Sequence, residues 1–364
     1  MLGIFSTKEI NTGRQKELDY AKTIAILFMI IIHVWENLSI YNVVTEAPEG
    51  LWENILQFGA GPLAAPVFMF CLGAGVCYTR HRSPIQLARR GLLIFAGAYL
   101  LNLGRRGIWD YLLYEPTDIW DNGKVVYALL NGDILHFAGL AFLLIALFRA
   151  LHLPVLLQGI IAAAMLYEGN ILADGQPVYG LSRYFFGLFY YMSVCSFPLL
   201  QWFIYPAAGM IFGRVLRHIS GKNGFYGLLL VLSAASLYYL DSLASSQGFY
   251  FRYIYLLQYD IYYQQEIFHF LYTVLVIFIE LSLLYFLAKN IEGGLDKLAF
   301  FIGRNLTAIY VIQWLLIGAL YYYQWQTDNQ GFDSATSNAV GVLIVIVSVL
   351  LAKAKESLSG FFNR

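Results

Sequence analysis

The sequence predicts an all-α protein, a polytopic membrane bundle of about ten transmembrane helices. Of its 364 residues, 59% are hydrophobic and only 13% are charged, whereas a soluble domain carries about 25% charged residues. The mean hydropathy is +0.61. Apolar runs of the length that crosses a bilayer, roughly 20 residues in a helix, recur along the whole chain. These three observations exclude a soluble domain as the main body of the protein.

The apolar runs give the helices in chain order. We predict ten spans, at 18–38, 56–79, 87–104, 126–148, 154–168, 197–217, 224–241, 267–289, 298–323 and 335–353. The fifth looks short, and 184–196 is apolar enough to form an interfacial or re-entrant segment. We find no internal repeat. The prediction is therefore one transmembrane domain over 18–353, between polar tails at 1–17 and 354–364.

The basic residues predict the orientation of the bundle. Counted along the spans, 18 of the 23 lysines and arginines fall on the side that holds both termini. Because basic residues collect on the cytoplasmic side of membrane proteins, we expect both termini in the cytoplasm. The net charge of zero offers no basic surface, so we expect the lipid bilayer as a partner and no nucleic acid.

Two acid–imidazole pairs are predicted in the outer half of the membrane. His33 and Glu36 lie late in the first span, and Asp133 and His136 lie near the outer end of the fourth. Residues three apart share a helix face, and a carboxylate beside an imidazole fixes its tautomer and raises its basicity. The pairs therefore indicate a catalytic site. The alternative is that they are interhelical hydrogen bonds without a chemical role.

Four more polar residues are predicted at a similar depth. Asn131, Gln201, His269 and Gln313 fall in or near the outer halves of their spans, and we interpret them as candidate substrate-binding groups. Neither HxxxH nor HExxH spacing occurs, and the three cysteines form no CxxC pair. We therefore expect no metal site.

Basic residues also cluster at the cytoplasmic helix ends. They include Lys22 in the first span, Arg89 and Arg90 in the third, and Arg304 in the ninth. One interpretation is that they set the topology and contact anionic lipids. The other is a docking site for a phosphorylated, CoA-like molecule, since arginine clusters suit phosphates. Composition does not separate the two.

The first span resembles the opening of the transmembrane acyltransferase superfamily, R…LDxxRxxxxxxxxxxH. Arg14, Leu18, Asp19 and Lys22 occupy the first positions, and His33 follows Lys22 after the same ten-residue gap. Lysine replaces the usual second arginine. Further segments resemble bacterial relatives of heparan-α-glucosaminide N-acetyltransferase, at 66–82, 89–103, 132–147, 197–217 and 303–316. Acyltransferase family three shares the first motif and is the near alternative.

This resemblance implies transfer of an acetyl or other short acyl group from cytosolic acyl-CoA, in the cytoplasmic membrane of a bacterium. The acceptor would be a sugar hydroxyl or amine of an exofacial glycan or glycolipid. The heparan enzyme's proposed catalytic histidine follows its first span, but this chain has no histidine between Val34 and Arg80. His33 is therefore the better candidate for a general base or a nucleophile.

The same hypothesis assigns roles to the other candidate site residues. Glu36 or Asp133 would orient an imidazole, and His136 and Asn131 would bind the acceptor or the oxyanion. The basic set Lys22, Arg89, Arg90 and Arg304 would meet the CoA phosphates.

The alternative function is a transporter or flippase for a lipid-linked or sugar substrate. It would use the same ionisable residues as a proton relay. The missing repeat symmetry disfavours it, and the lysine–histidine spacing favours the enzyme. A homodimer stays open, because a dimer face would be one more apolar surface.

Overall fold

The computed structural model describes residues 4–40, 50–79, 83–113, 124–175, 178–246 and 259–362. Within these ranges the chain is helical and forms only isolated β-bridges. The long helices, in chain order, are α1 (Lys16–Leu38), α2 (Leu51–Tyr78), α3 (Pro84–Asn102), α4 (Ile134–Ala150), α5 (Val155–Ala173), α6 (Leu199–Leu216), α7 (Lys222–Ser246), α8 (Ile267–Ala288), α9 (Leu306–Gln326) and α10 (Ser334–Phe362). The end of the 66–82 motif, at 80–82, lies outside the described residues.

Eight of these helices are long and apolar enough to cross a membrane. The other two are α4, which has only 17 residues, and α3, whose hydropathy is lowered by Arg89 and Arg90. An all-α polytopic membrane bundle is thus confirmed. The predicted third and fourth spans exist as helices that pack along each other.

Three predicted spans are interrupted in the structure. The second consists of Leu51–Ala60 and Ala65–Tyr78. The fourth, predicted at 126–148, is divided into a short helix at Lys124–Leu130 and α4. The predicted ninth span, 298–323, is divided into Gly294–Arg304 and α9. The division falls at Asn305, whose backbone (φ −102°, ψ 18°) leaves the helical region. Its side chain donates to the carbonyl of Phe301 at 3.1 Å and so helps to end the first helix.

Other boundaries differ by less. The fifth helix is longer than predicted, and α10 continues through most of the segment predicted as a tail. After α3 comes a π-helical turn, Leu103–Gly107, and a short helix, Ile108–Leu113. The segment 184–196 contributes to the helix Ser182–Gly187 and to a turn bridged to Gly132 through Cys195. Short helices also occupy Tyr259–Gln264 and, at the start of α6, Leu199–Trp202.

The first helix runs through the middle of the bundle, where it contacts α2, α8, α9 and α10. We call the end where α1 and α9 begin the terminal face, and the end where they finish the far face. At the terminal face, Ile4 accepts a backbone hydrogen bond from Ser220 at 2.7 Å. At the far face, the side chain of Gln324 donates to the Leu38 carbonyl at 3.0 Å.

Glycines allow two helix pairs to pack closely, as small residues do between membrane helices. In the pair α2 and α6, a Cβ on Gly209 would overlap the carbonyl of Phe70. In the pair α3 and α4, a Cβ on Gly139 would lie 2.9 Å from the carbonyl oxygen of Gly91. These contacts fix α3 and α4, which both contribute to the site described below.

Replacing Gly209 by alanine should lower the stability of the bundle by about 1–3 kcal/mol, because the added methyl group forces α2 and α6 apart. The measurement is the midpoint of thermal unfolding of the purified protein in detergent. The matched control is Gly97→Ala, since a Cβ there meets nothing within 4 Å. Equal midpoints for the two variants would contradict the close packing.

Candidate functional site

A cavity of about 690 Å³ lies in the far half of the bundle. We call it the far cavity. Its lining includes His33 and Glu36 from α1, Arg105 from the π-helical turn, and Asp133 from the segment before α4. Glu36 is exposed to the cavity, while His33 is half-buried in its wall. The fold thus brings the first predicted acid–imidazole pair and the carboxylate of the second to one cavity.

His33 is held by two side chains of α9. Its ring packs on the Trp314 indole, with 4.3 Å between ring centroids. The amide of the buried Gln313 contacts the Nδ1 atom of His33 at 3.2 Å. The atom that lies against Nδ1 is the amide nitrogen, which donates and would leave the proton of a neutral imidazole on Nε2. If the amide is turned by 180°, its oxygen, which makes no other hydrogen bond, accepts from Nδ1–H, and the Nε2 lone pair is left for the cavity. Gln313 is therefore placed to fix the histidine tautomer.

A buried ion pair stands beside His33. The guanidinium of Arg105 forms a short contact with the Asp133 carboxylate, and its centre lies 4.7 Å from the Trp314 ring centroid. The hydroxyl of Tyr310 donates to both oxygens of Asp133, at 2.9 and 2.8 Å. Asp133 and Arg105 are close enough to His33 to act on it electrostatically. A charge pair in a low-dielectric site keeps its geometry because each partner would be costly to leave alone.

The π-helical turn places Arg105 in this pair. Such turns insert one extra residue into a helix and often occur at functional sites. The side chain of Asn102 binds the carbonyls of Leu129 and Asn131, at 3.0 and 2.8 Å, and so ties the turn to the segment before α4. A Cβ on Gly318 would overlap the Arg105 carbonyl, so α9 packs directly on the turn.

The Asp133–His136 pair is arranged differently from the expectation. Asp133 is the residue before α4, and its backbone N–H donates to Nδ1 of His136 at 3.1 Å. The imidazole thus closes a capping box and does not contact the Asp133 carboxylate. Its ring packs on Tyr99, with 4.4 Å between centroids, outside the lining of the far cavity. A catalytic role for His136 stays a prediction that this placement does not support.

The predicted substrate-binding residues separate into two groups. Asn131 lines the far cavity. Gln313 does not line it but contacts His33, which does. His269 instead caps α8, where its Nδ1 accepts from the backbone of Glu266 at 3.2 Å. Gln201 donates to the Gly169 carbonyl at 2.9 Å and joins α6 to α5. Neither His269 nor Gln201 lines the far cavity.

A second cavity, of about 230 Å³, opens toward the terminal face. We call it the terminal cavity. Its mouth is lined by Lys22, Arg90 and Arg304, and its deeper walls are mostly apolar. Met29, Ile134 and Tyr310 line both this cavity and the far cavity. The two cavities are therefore adjacent and share a wall formed by those three side chains.

Arg89 has a different place from the other three predicted donor-binding residues. It lines a separate lateral cleft between α3 and α9. Arg90 lines both this cleft and the terminal cavity. The cleft and the cavity are therefore adjacent.

The first motif forms an ion network at the mouth of the terminal cavity. Asp19 contacts Arg14 at 2.6 Å and Lys22 at 3.3 Å. Arg14 also reaches Asp296 at 2.8 Å, and its hydrogen bond lowers the pKa of the Asp296 carboxyl. The motif thus holds Lys22 at the mouth and fixes the helix Gly294–Arg304 against α1.

These features define an integral membrane protein with one cavity in each half of the bundle and a shared wall between them, beside a histidine. The model of the acyltransferase domain of acyltransferase family three matches residues 15–353. The chain belongs to that family and is a membrane acyltransferase. The closer resemblance to heparan-α-glucosaminide N-acetyltransferase relatives is unconfirmed, and the near alternative is the family shown. No curated protein and no solved structure is found to match the chain.

Two residues that line the far cavity are absent from the sequence-based prediction of the site. Arg105 and Tyr310 were not predicted as site residues, because Arg105 counts in the sequence only among the five basic residues away from the side of the termini, and Tyr310 lies in an apolar span. The adjacent basic residues Arg105 and Arg106 after the third span were the sequence feature that could have indicated this part of the site.

Among the described residues, no group of three histidine, cysteine or acidic side chains is arranged to hold a metal ion.

Removing one partner of the buried ion pair should destabilise the protein strongly. We expect Arg105→Met to cost about 3–5 kcal/mol, because Asp133 is left charged and unpaired in the bundle. The double variant Arg105→Met, Asp133→Asn should recover much of this loss. The measurement is again the thermal unfolding midpoint in detergent.

The control for this prediction is Arg214→Gln, which removes an exposed arginine 3.9 Å from Glu9. Exposed pairs contribute about 0–1 kcal/mol, so its midpoint should stay near that of the wild type. An Arg105→Met midpoint equal to that of the control would refute the importance of the buried pair.

Proposed function

We propose that this membrane acyltransferase moves an acetyl or other short acyl group from cytosolic acyl-CoA to a sugar hydroxyl or amine of an exofacial glycan or glycolipid. The observation that carries the proposal is that the two cavities share the wall of Met29, Ile134 and Tyr310. Donor and acceptor could then approach from opposite faces. The excess of basic residues on the side of the termini supports a cytoplasmic terminal face.

The donor would enter through the terminal cavity. Lys22, Arg90 and Arg304 at its mouth suit the phosphates of CoA, and the apolar walls suit the thin pantetheine arm. From Lys22 to Met29 the axis of α1 rises about 10 Å. An arm that spans this distance would carry the thioester to the junction while the nucleotide stays outside the membrane.

The acceptor would react in the far cavity beside His33. Its hydroxyl or amine attacks the thioester carbonyl carbon, and the C–S bond breaks as the C–O or C–N bond forms. His33 takes the proton from the acceptor and passes it to the departing CoA thiolate, so the overall reaction neither gains nor loses a proton. Glu36, one helical turn away, would hold the acceptor or balance the imidazolium charge.

Arg105 would stabilise the charge that develops on the carbonyl oxygen. A guanidinium has five N–H donors, and the Asp133 contact is made through Nη1. The remaining donors are held by the Trp314 and Asp133 contacts in a fixed orientation. Preorganised donors of this kind are effective oxyanion stabilisers.

Replacing His33 by alanine should lower kcat for acyl transfer about 10²- to 10⁴-fold, the usual range for a general base. The measurement is CoA release from acetyl-CoA by the purified protein, with a panel of glycan acceptors. His152→Asn is the control, because His152 lies in the turn after α4 and lines neither cavity.

The same assay separates an enzyme from the transporter or flippase alternative. A transporter would neither bind nor consume acetyl-CoA. If acetyl-CoA is neither bound nor consumed with any acceptor in the panel or with water, the proposed function is overturned.

A quench experiment distinguishes base catalysis from an acyl-histidine intermediate. In the absence of acceptor, the protein is mixed with acetyl-CoA labelled in the acetyl group and denatured after a few milliseconds to seconds. Direct transfer with His33 as base leaves no label on the protein. A nucleophilic His33 forms a C–N bond to the acetyl group, and the label is then lost in His33→Ala.

Removing a charge at the mouth of the terminal cavity should weaken donor binding. We expect Lys22→Gln and Arg90→Gln each to raise KM for acetyl-CoA about tenfold, through one lost charge-assisted contact. Neither should raise KM for acetyl-pantetheine, which lacks the nucleotide phosphates. Lys289→Gln, an exposed charge that lines neither cavity, is the control. Equal KM shifts for the two donors would refute the phosphate contact.

A further inference from the structure

The far cavity is lined by three arginines, and two of them already have carboxylate partners. Arg105 is paired with Asp133. Arg106 lies 3.6 Å from Asp110 and stacks over a tyrosine ring. Arg183 has no carboxylate within ion-pair distance among the described residues, although it too lines the cavity. Within the described part of the chain, Arg183 is therefore the cavity arginine that is left for an anionic ligand.

Arg183 is held in place by its neighbour in the chain. Its Nη2 atom donates to the hydroxyl of Tyr184 at 3.0 Å, and its guanidinium centre lies 4.9 Å from the ring centroid of Tyr184. Tyr184 is itself buried. The remaining N–H groups of the exposed guanidinium are not used by this contact. A fork of donors whose stem is fixed suits bidentate binding of a carboxylate or phosphate.

The carboxylates of the cavity show the complementary pattern. Asp110 and Asp133 have arginine partners, whereas Glu36 has no basic partner within ion-pair distance in the described part of the chain. No ion pair joins Glu36 to Arg183, so the cavity presents a carboxyl group and a guanidinium at separate places. Glu36 lies one helical turn from His33 and marks the end of the cavity where the reacting hydroxyl or amine would sit.

We propose that the acceptor carries an anionic group, a carboxylate or a phosphate, which Arg183 binds away from the reacting group. This proposal rests on the proposed function and adds the chemical class of the acceptor. A neutral sugar offers Arg183 no opposite charge, whereas the anionic group of a charged acceptor would pair with Arg183 while its reacting hydroxyl or amine lies near Glu36. Asn131 and Ser196, which also line the cavity, are polar groups that suit sugar hydroxyls.

The test compares three acceptors that share one ring: methyl glucoside, methyl glucuronoside and methyl glucoside 6-phosphate. CoA release from acetyl-CoA and the binding constant of each sugar are measured on the purified full-length protein in nanodiscs. We expect at least one anionic sugar to exceed the neutral one about tenfold in kcat/KM or in binding. The preferred anion identifies a carboxylate or a phosphate as the natural group.

Variants of Arg183 assign the preference to this side chain. We expect Arg183→Gln to reduce the anionic-to-neutral ratio by about ten- to a hundredfold, the range for hydrogen bonds to a charged group. Arg183→Lys should keep part of the ratio, because lysine retains the charge but not the bidentate fork. Arg214→Gln, which removes an exposed charge outside the far cavity, should keep the ratio of the wild type.

The outcomes separate the two proposals. If CoA is released but neutral and anionic sugars act and bind equally, or if Arg183→Gln keeps the wild-type ratio, the acceptor inference is overturned and the proposed function stands. If acetyl-CoA is neither bound nor consumed with any sugar or with water, the proposed function falls, and this inference falls with it.

Discussion

The buried contact between Arg105 and Asp133 is the constraint on which the geometry of the site depends. It joins the π-helical turn after α3 to the first residue before α4, and the Tyr310 hydroxyl adds α9 to the same cluster. Burying an ion pair is a poor source of stability, because desolvation offsets the attraction. Its value here is positional. The same α9 segment carries Gln313 and Trp314, so the cluster also determines where His33 stands.

The hydropathy of the chain was sufficient to predict the bundle, and the polar residues in the first span were sufficient to find His33. The interruptions were not predictable from hydropathy, because Asn131–Asp133 and Asn305 lie inside runs that remain apolar on average. Arg105 was not predicted as a site residue for a related reason. A π-helical turn shifts the helix by one residue, so the side chain reaches a face that a period of 3.6 residues does not assign to it.

An acid and a histidine three residues apart fit two arrangements, a catalytic pair on one helix face and a helix cap, and the sequence does not distinguish them. At Asp133–His136 and again at Glu266–His269, an acid at the cap precedes an imidazole by three residues. Helix starts in an apolar medium have N–H groups that water cannot satisfy, and the imidazole accepts from the backbone there. The rule that residues three apart share a face assumes that both are helical. Asp133 precedes its helix, and its carboxylate turns to Arg105.

The narrow layer of Met29, Ile134 and Tyr310 has an electrical consequence. Where cavities penetrate a membrane protein from both faces, the transmembrane voltage falls mainly across the low-dielectric layer that remains between them. Each elementary charge that crosses the full drop exchanges about 2.3 kcal/mol per 100 mV with the field. The proton that His33 passes from the acceptor to the sulfur at the junction would move through part of this layer and so through part of that drop. To that extent acyl transfer would respond to the energised state of the membrane, which no soluble acyltransferase can sense.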